Sequence, residues 1–263
     1  MKKKLVVANW KAYIVSKTRA EKLFISVCRA YAKIQPKTRP DVVACVPFLY
    51  LSPLRAVRYT PKAFLGVQNV FWQPEGPYTG EITGHMLRDA GATHVIVGHS
   101  ERRKYIGETD EMVNKKVLCA LQARLKVVLC VGEWMRPRTN AEQKKVYAFV
   151  ESQLVKAMAG VPNSFVRSVI ITYEPVWAIS ANKKQPDTPE DAARMVAFIR
   201  VVLGRLYDAG IASHARIIYG GSVLQKNAAL FMRRDGIDGV LVGAASTRPK
   251  EFAQIIRLAA GSL

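Results

Sequence analysis

The sequence predicts an α/β protein with a single-domain (β/α)8 barrel, and two observations lead to this prediction. Eight short apolar runs rich in β-branched residues alternate with amphipathic stretches along the 263 residues. Most of these runs are continuously apolar, which is typical of parallel strands covered on both faces by helices. Because eight strand–helix units in about 250 residues are the usual content of such a barrel, we expect residues 1–263 to form one barrel domain.

The predicted elements follow one another in regular order. The strands are LVVAN (5–9), VVACV (42–46), AFLGVQ (63–68), HVIVG (94–98), KVVLCVG (126–132), VIITYE (169–174), RIIYG (216–220) and GVLVG (239–243). Apolar residues at helical spacing predict helices over 17–34, 108–123, 143–158, 189–207 and 250–258. A doubly wound open sheet is the competing architecture. The turn Asn9-Trp10-Lys11 disfavours it, since this turn lacks the glycine fingerprint of a dinucleotide site.

Composition narrows the class of protein. The formal net charge is +20, which favours anionic partners such as a phosphorylated substrate, a nucleic acid or an acidic surface. The basic residues are scattered, which favours a solvated basic surface over nucleic-acid binding as the explanation, so no nucleic-acid partner is expected. No apolar run approaches the ~18 residues of a membrane span, and 5–8 is too short for a signal-peptide core. We therefore expect a cytoplasmic protein without membrane contact.

The four cysteines show no C-x-x-C or His-Cys spacing. This pattern argues against a metal site and against disulfides, and it predicts reduced thiols packed as small apolar groups.

Chemically capable groups stand where several predicted strands end, which is where active sites of such barrels gather. They are Asn9 and Lys11 after the first strand, His99 after the fourth, Glu174 after the sixth, and the small-residue turns 220–222 and 243–246 after the last two. Taken singly, each has an ordinary explanation as a solvated side chain, a turn residue or the start of a loop. Small residues that open helices let backbone N–H groups approach an anion. Together, these groups predict one site that contains a carboxylate, an imidazole and an amine, and that binds the phosphate of a ligand.

Several motifs carry a resemblance to a known family. NWK (9–11), GHSERR (98–103), YEPVWAI (173–179), YGGS (219–222) and GVLVGAAS (239–246) resemble the signatures of triosephosphate isomerases, in their order and roughly at their spacing. The shorter matches are TGEI (79–82), GET (107–109), CVGE (130–133) and TPE (188–190). The resemblance implies a TIM barrel that interconverts dihydroxyacetone phosphate and D-glyceraldehyde 3-phosphate in glycolysis and gluconeogenesis. It also implies that the enzyme needs no metal and no organic cofactor.

The resemblance assigns roles residue by residue. Glu174 is the base that moves a proton through an enediolate, and His99 is a neutral electrophile at a helix start. The family is a standard example of such pKa tuning, so these roles come from the resemblance. Lys11 supplies a fixed positive charge, and Asn9 is a hydrogen-bond donor beside it. Glu108 is expected to support the site by pairing with Lys11 or its neighbours, although a plain glutamate at a helix N-terminus remains an alternative.

Phosphate binding and a lid complete the implied site. Backbone N–H groups of Ser180, Ser222, Gly243 and Ala244 are expected at the phosphate. The lid position comprises Pro175, Val176, Trp177, Ala178, Ile179, Ser180, Ala181, Asn182 and Lys183.

The chain departs from the family's pattern inside this lid. Ser180 and Asn182 replace two usual glycines, 184–187 is slightly long, and Ala244 replaces another glycine. A non-glycine residue forced to positive φ costs about 1 kcal/mol. We expect a working lid and leave its closing rate open.

The loop around Thr79 resembles the one that enters the partner subunit in the family, which implies a homodimer; a surface turn in a monomer is the alternative.

Two other functions stay open. One is a barrel that has lost catalysis and binds RNA through its positive surface. The other is a Schiff-base enzyme acting on a sugar phosphate, for which only Lys126 begins a strand.

Overall fold

The computed structural model describes residues 2–61, 63–179 and 187–261 and shows a closed barrel of eight parallel strands in sequence order. The predicted architecture is therefore confirmed. The strands are β1 (Leu5–Asn9), β2 (Asp41–Val46), β3 (Phe64–Val67), β4 (His94–Val97), β5 (Lys126–Val131), β6 (Val169–Tyr173), β7 (Arg216–Tyr219) and β8 (Gly239–Val242). Each strand lies within one or two residues of its predicted span.

The barrel closes where the first strand meets the last. Leu5 pairs with Asp41 of β2 on one side and with Gly239 of β8 on the other. Gly239 has φ +159, and a Cβ atom there would lie 1.9 Å from the carbonyl oxygen of Leu5. Only glycine therefore allows the two strands to pair at this point.

The α-helices of the described residues surround the barrel. They are α1 (Lys17–Ala32), α2 (Leu51–Ala56), α3 (Gly84–Asp89), α4 (Ser100–Ile106), α5 (Asp110–Gln122), α6 (Asn140–Met158), α7 (Pro189–Leu206), α8 (Ala209–His214), α9 (Ala228–Met232) and α10 (Pro249–Ala259). The five longest correspond to the predicted amphipathic stretches. Side-chain caps fix several starts: Thr188 accepts the N–H of Asp191 at 3.1 Å, and Pro189 occupies the first turn of α7. None of the described helices is long and apolar enough to cross a membrane.

Two apolar layers pack against the sheet. Alternate strand residues fill the barrel interior, among them Val7, Ile96, Val128 and Ile218. The intervening residues pack outward against the helices, which is why the strands read as continuous apolar runs. The four cysteines are buried and form no disulfide among the described residues, and two of them lie inside the barrel, so their predicted packing role is confirmed.

Candidate active site

Glu174 directly follows β6, and its backbone is held by the turn after the neighbouring strand. Its N–H donates to the carbonyl of Val131 at 2.8 Å. A Cβ atom at Gly132 would lie 1.9 Å from the carbonyl oxygen of Glu174. Glycine at 132 is therefore needed for the two turns to touch, and this contact places the carboxylate above the barrel mouth.

The carboxylate of Glu174 is 2% exposed and has two different neighbours. Its Oε2 accepts the backbone N–H of Ser100, the first residue of α4, at 3.1 Å. Its Oε1 lies 3.2 Å from His99 Nε2 and makes no contact with hydrogen-bond geometry among the described residues. The helix N-terminus thus holds one carboxylate oxygen in place, while the other remains available to a ligand in the cavity.

His99 is the N-cap residue of α4, and its ring tautomer follows from its hydrogen bonds. Its Nδ1 accepts the backbone N–H of Glu101 at 3.2 Å, so Nδ1 carries no proton in this arrangement. A neutral imidazole then carries its hydrogen on Nε2, which faces the cavity and Glu174. The ring therefore presents an N–H donor to the cavity.

Lys11 adopts a left-handed backbone conformation, with φ +48, which a side chain bearing a Cβ adopts only at some cost. Two hydrogen bonds hold it there. Its N–H donates to Asn9 Oδ1 at 3.1 Å, and its carbonyl accepts Gln68 Nε2 at 3.1 Å. The strained turn aims the ammonium inward, where Nζ donates to Glu101 Oε1 at 2.6 Å.

The carboxylate partner of Lys11 is the main residue that the sequence-based interpretation missed. Glu101 contacts both Lys11 and His99. Its side chain accepts a hydrogen bond from the Lys11 ammonium, and its backbone N–H donates to the His99 ring. The signal was its position two residues after His99, where a helix N-cap side chain finds its donor.

Glu108 was expected to support the site by pairing with Lys11 or its neighbours, and among the described residues it makes no contact with Lys11. Glu108 Oε1 instead accepts from Arg102 Nε and Lys116 Nζ. The side chains of Glu108 and Lys116 are each only 3% exposed. Glu108 therefore belongs to a buried ion cluster beneath the rim rather than to the cavity.

A cavity of about 560 Å³ lies at the carboxyl ends of the strands and brings most predicted site residues together. Its lining includes Lys11, His99, Glu101, Glu174, Ile179, Gly220, Gly221, Ser222, Gly243 and Ala244. Backbone approaches closely here, since even an added Cβ at Gly243 would lie 3.6 Å from Lys11 Cε. Ser180, the remaining predicted phosphate residue, lies outside the described residues.

The expectation that both glycine turns open helices is half right. Gly243 precedes a 3-10 helix over Ala244–Thr247, so N–H groups at a helical start do line the cavity there. The turn at Gly220–Ser222 does not open a helix, since α9 begins only at Ala228. The segment between this turn and α9 is held by a hydrogen bond from the Asn227 side-chain amide to the carbonyl of Ser222, at 2.9 Å.

The first half of the predicted lid position is a short 3-10 helix, Val176–Ala178, anchored to a buried carboxylate. Glu133 Oε1 accepts from Trp177 Nε1 at 2.8 Å and from Tyr173 Oη at 2.9 Å. Burial raises the pKa of Glu133, and these two hydrogen bonds partly oppose the shift. The rest of the predicted lid (Ser180, Ala181, Asn182 and Lys183) lies outside the described residues.

Asp187, on the far side of the lid position, is a second buried carboxylate. Its Oδ1 accepts the N–H of Thr188 at 2.9 Å, whereas its Oδ2 is buried and has no partner with hydrogen-bond geometry among the described residues. Burial raises the pKa of Asp187 to about 7. Sequence reasoning gave Glu133 and Asp187 no role, because their burial depends on packing against residues far along the chain.

The fold and the cavity define a (β/α)8-barrel protein with a catalytic type of site: a buried carboxylate, a neutral imidazole and an amine converge at the carboxyl ends of the strands. Comparison with known proteins narrows this class. The family model described as "Triosephosphate isomerase" matches residues 4–259.

Curated relatives agree with this match. The proteins named triosephosphate isomerase from Alkaliphilus oremlandii and Caldanaerobacter subterraneus subsp. tengcongensis are 40% and 41% identical to this chain over 256 residues. Each alignment covers 97% of this chain and 99% of the relative. The protein of the same name from Dictyoglomus thermophilum is 38% identical over 262 residues, which cover 98% of this chain and all of that protein. The chain belongs to the triosephosphate isomerase family.

Proposed function

We propose that the protein interconverts dihydroxyacetone phosphate and D-glyceraldehyde 3-phosphate, as a cytoplasmic enzyme of glycolysis and gluconeogenesis. One observation carries the proposal: Glu174 Oε1 and His99 Nε2 lie 3.2 Å apart in a cavity that also contains the Lys11 ammonium. Proton removal from carbon next to a carbonyl needs a base and a hydrogen-bond donor within reach of adjacent substrate atoms. This geometry supplies both, next to a cation for the phosphate.

In the proposed mechanism, Glu174 takes the carbon-bound proton of the substrate and returns it to the neighbouring carbon. His99 Nε2–H donates to the oxygen on which negative charge develops in the enediolate. A neutral imidazole suits this task because its hydrogen bond strengthens as the oxygen becomes charged. A fully charged donor would also stabilise the bound substrate, and equal stabilisation of substrate and transition state does not raise kcat. Lys11 contributes a fixed charge, and the Asn9 side chain holds its turn in place.

The phosphate is proposed to lie against the backbone N–H groups of Ser222, Gly243 and Ala244, with Ser180 as a further contact. The first three line the cavity in the last two turns of the barrel. Lys11 adds the positive charge that an exposed backbone cannot supply. Such a site binds a phosphorylated triose by its anionic end and leaves its carbonyl toward His99 and Glu174.

Residues 175–183 are proposed to act as the lid that excludes water from the enediolate. Its described part is apolar where it meets the protein: Val176 and Ala178 are buried, and Ile179 lines the cavity. Exclusion of water protects an intermediate that would otherwise lose its phosphate.

A homodimer is proposed from the exposed apolar side chains on the loops and short helices that follow β1–β4. These strands are consecutive in the barrel, so their loops share one sector of the rim. The exposed residues there are Tyr13, Val15, Leu49, Met86, Tyr105 and Ile106. Thr79 lies exposed in the same sector, and apolar patches rimmed by polar residues typically mark subunit contacts. Sedimentation of a monomer at micromolar concentration would argue against this assembly.

A coupled assay of glyceraldehyde 3-phosphate isomerisation tests the function directly, with 2-phosphoglycolate as an inhibitor control. Glu174→Asp is expected to lower kcat about a hundredfold or more, because it withdraws the base by one methylene while the fold stays intact. Full activity in that variant, or no activity in the native protein, would remove the assignment.

A further inference from the structure

The proposed reaction does not explain the net charge of +20. The fold brings several of the basic residues together in one groove on the protein surface. A groove of about 550 Å³ lies between α1 and α10 on the outside of the barrel. Its lining includes the cations Arg29, Lys33, Lys250 and Arg257. No aspartate or glutamate is among its lining residues in the part of the chain that the structure describes. The sequence alone hides this cluster, because its two halves lie more than 200 residues apart.

The cations form two facing rows set by helical periodicity. On α1, Ser26, Arg29, Ala30 and Lys33 recur at positions i, i+3, i+4 and i+7, and on α10 the residues at the same spacing are Lys250, Ala253, Gln254 and Arg257. Residues at this spacing share one helix face. Each row is about 10 Å long at 1.5 Å per residue. Alanine near the centre of each row keeps the groove open between its charged walls.

These cations have no carboxylate to neutralise them among the described residues. Arg257 donates to Gln254 Oε1 at 3.1 Å, a neutral partner, and Arg29, Lys33 and Lys250 stand exposed. The nearby carboxylates are already paired, since Glu251 contacts Arg248 at 2.6 Å and Glu21 contacts Lys17 at 3.9 Å. Like charges gathered without counter-charges disfavour the fold slightly, so an anionic ligand would relieve a cost that is already present.

The composition of the groove distinguishes among anionic ligands. A small anion would gain little from exposed lysines and arginines, because solvent-exposed ion pairs contribute only about 0–1 kcal/mol each. An acidic protein would need a buried aromatic or aliphatic anchor, and the apolar lining consists only of Ala30, Pro249 and Ala253. A polymer of phosphates gains from every contact through release of its condensed counterions. Arginine, lysine, serine and glutamine are the side chains that bind phosphodiester oxygens.

We propose that the groove between α1 and α10 binds the phosphodiester backbone of a nucleic acid without reading its bases. No aromatic side chain lines the groove in the described structure, so bases find no stacking platform there. The groove shares no lining residue with the active-site cavity among those described. Binding is therefore an activity in addition to the proposed isomerase reaction and does not depend on it.

Fluorescence anisotropy with a labelled short RNA, as a single strand and as a duplex, tests the proposal on the full-length protein. The triple variant Arg29→Gln/Lys33→Gln/Lys250→Gln removes the three exposed cations. Each lost phosphate contact lowers the slope of log K against log salt concentration by about 0.7–0.9. We therefore expect the slope to fall by about 2–3 and the affinity at about 0.1 M salt to fall roughly a hundredfold.

A matched control removes the same number of charges elsewhere. Lys115, Lys144 and Lys145 are exposed on α5 and α6, and the triple change of these residues to Gln is expected to keep most of the affinity. Both triple variants should retain the native kcat/KM of the isomerase reaction, and this measurement serves as the control that they are folded.

Three outcomes would overturn the proposal. The first is native protein that does not bind RNA. The second is an equal loss of affinity in the two triple variants, which would mean diffuse attraction by net charge. The third is a poly-glutamate peptide that binds the groove more tightly than RNA, which would indicate an acidic protein partner.

Discussion

Two buried carboxylates near the barrel rim, Glu174 and Glu108, differ in how their charge is balanced. Both side chains are almost fully buried. Glu108 accepts from two full cations, Arg102 and Lys116, on one oxygen. Glu174 instead accepts the backbone N–H of Ser100 and faces Nε2 of His99, and no lysine or arginine pairs with it among the described residues. A carboxylate neutralised by fixed cations stabilises packing, whereas one balanced by dipoles keeps an oxygen that can accept a proton.

Glu174→Gln should separate catalysis from folding most clearly. We expect kcat to fall about a thousandfold or more, since an amide cannot act as a general base. The free energy of unfolding should stay within about 1 kcal/mol, because the amide oxygen can still accept the N–H of Ser100. Coupled kinetics and urea denaturation of the same preparation measure both. A large loss of stability would show that the carboxylate also holds the fold.

Glu108→Gln should give the reverse result. Removal of this charge leaves the Lys116 ammonium buried beside Arg102 with neutral neighbours, Asn69 Oδ1 at 2.7 Å and the Trp72 ring, whose centroid lies 5.9 Å away. Breaking a buried pair in this way costs about 3–5 kcal/mol, and urea denaturation should show that loss, while the folded fraction keeps a near-native kcat.

The double variant Glu108→Gln/Lys116→Met provides the control for Glu108→Gln. It removes the unpaired cation and should recover part of the lost stability. No recovery in the double variant would mean that shape, rather than charge balance, explains the single change.

Asp187 sharpens the comparison as a buried carboxylate that pairs with no cation in the part of the chain that the structure describes. Its pKa is raised to about 7 by burial, so in the folded state it holds a proton that the unfolded chain releases near pH 4. Folding stability from this group is therefore lost as pH rises from about 4 to about 7. Asp187→Asn has no proton to lose, so its free energy of unfolding should not show this decrease. Its stability relative to the native protein should therefore increase by about 2 kcal/mol between pH 5.5 and 8.5.

Chemical denaturation of the native protein and Asp187→Asn at the two pH values checks this expectation. An advantage that shrinks toward alkaline pH would mean that the ionised carboxylate is stabilised in the fold.

Glu101→Gln should have the smallest effect. The Glu101 side chain is 40% exposed and pairs with Lys11 in contact with solvent, so the pair itself contributes about 1 kcal/mol or less. We expect kcat/KM to fall several-fold, mainly through KM, because the Lys11 ammonium loses its positioning partner. The deficit should shrink at high salt, which screens the native pair. Unchanged kinetics at low salt would show that the strained turn alone positions Lys11.

The sequence was sufficient for the barrel and for the location of its mouth. Strands covered on both faces, such as Val169–Tyr173, are buried at every position and mostly apolar, so the end of this strand is visible in the sequence where Glu174 follows it. The polar residues at those ends share one rim because parallel strands end on the same side of a barrel. These features follow from local pattern and topology, which a single sequence contains.

The side-chain partners were not predictable in the same way. Glu101 and Glu108 both follow His99 closely, and only the packing of α4 and α5 determines which one reaches Lys11. The burial of Asp187 arises from neighbours distant in sequence, including Tyr219. The basic groove likewise requires α1 and α10 to be adjacent, which is a consequence of barrel closure rather than of any motif.

The close contact between Gly132 and the carbonyl of Glu174 has a consequence for directed evolution of this protein. Any side chain at 132 would displace the peptide that carries the proposed base, since its first carbon would lie 1.9 Å from that oxygen. A saturated library at this position, selected for isomerase activity, should return glycine almost alone. The position of the Glu174 carboxylate thus depends partly on the absence of a side chain from the adjacent turn.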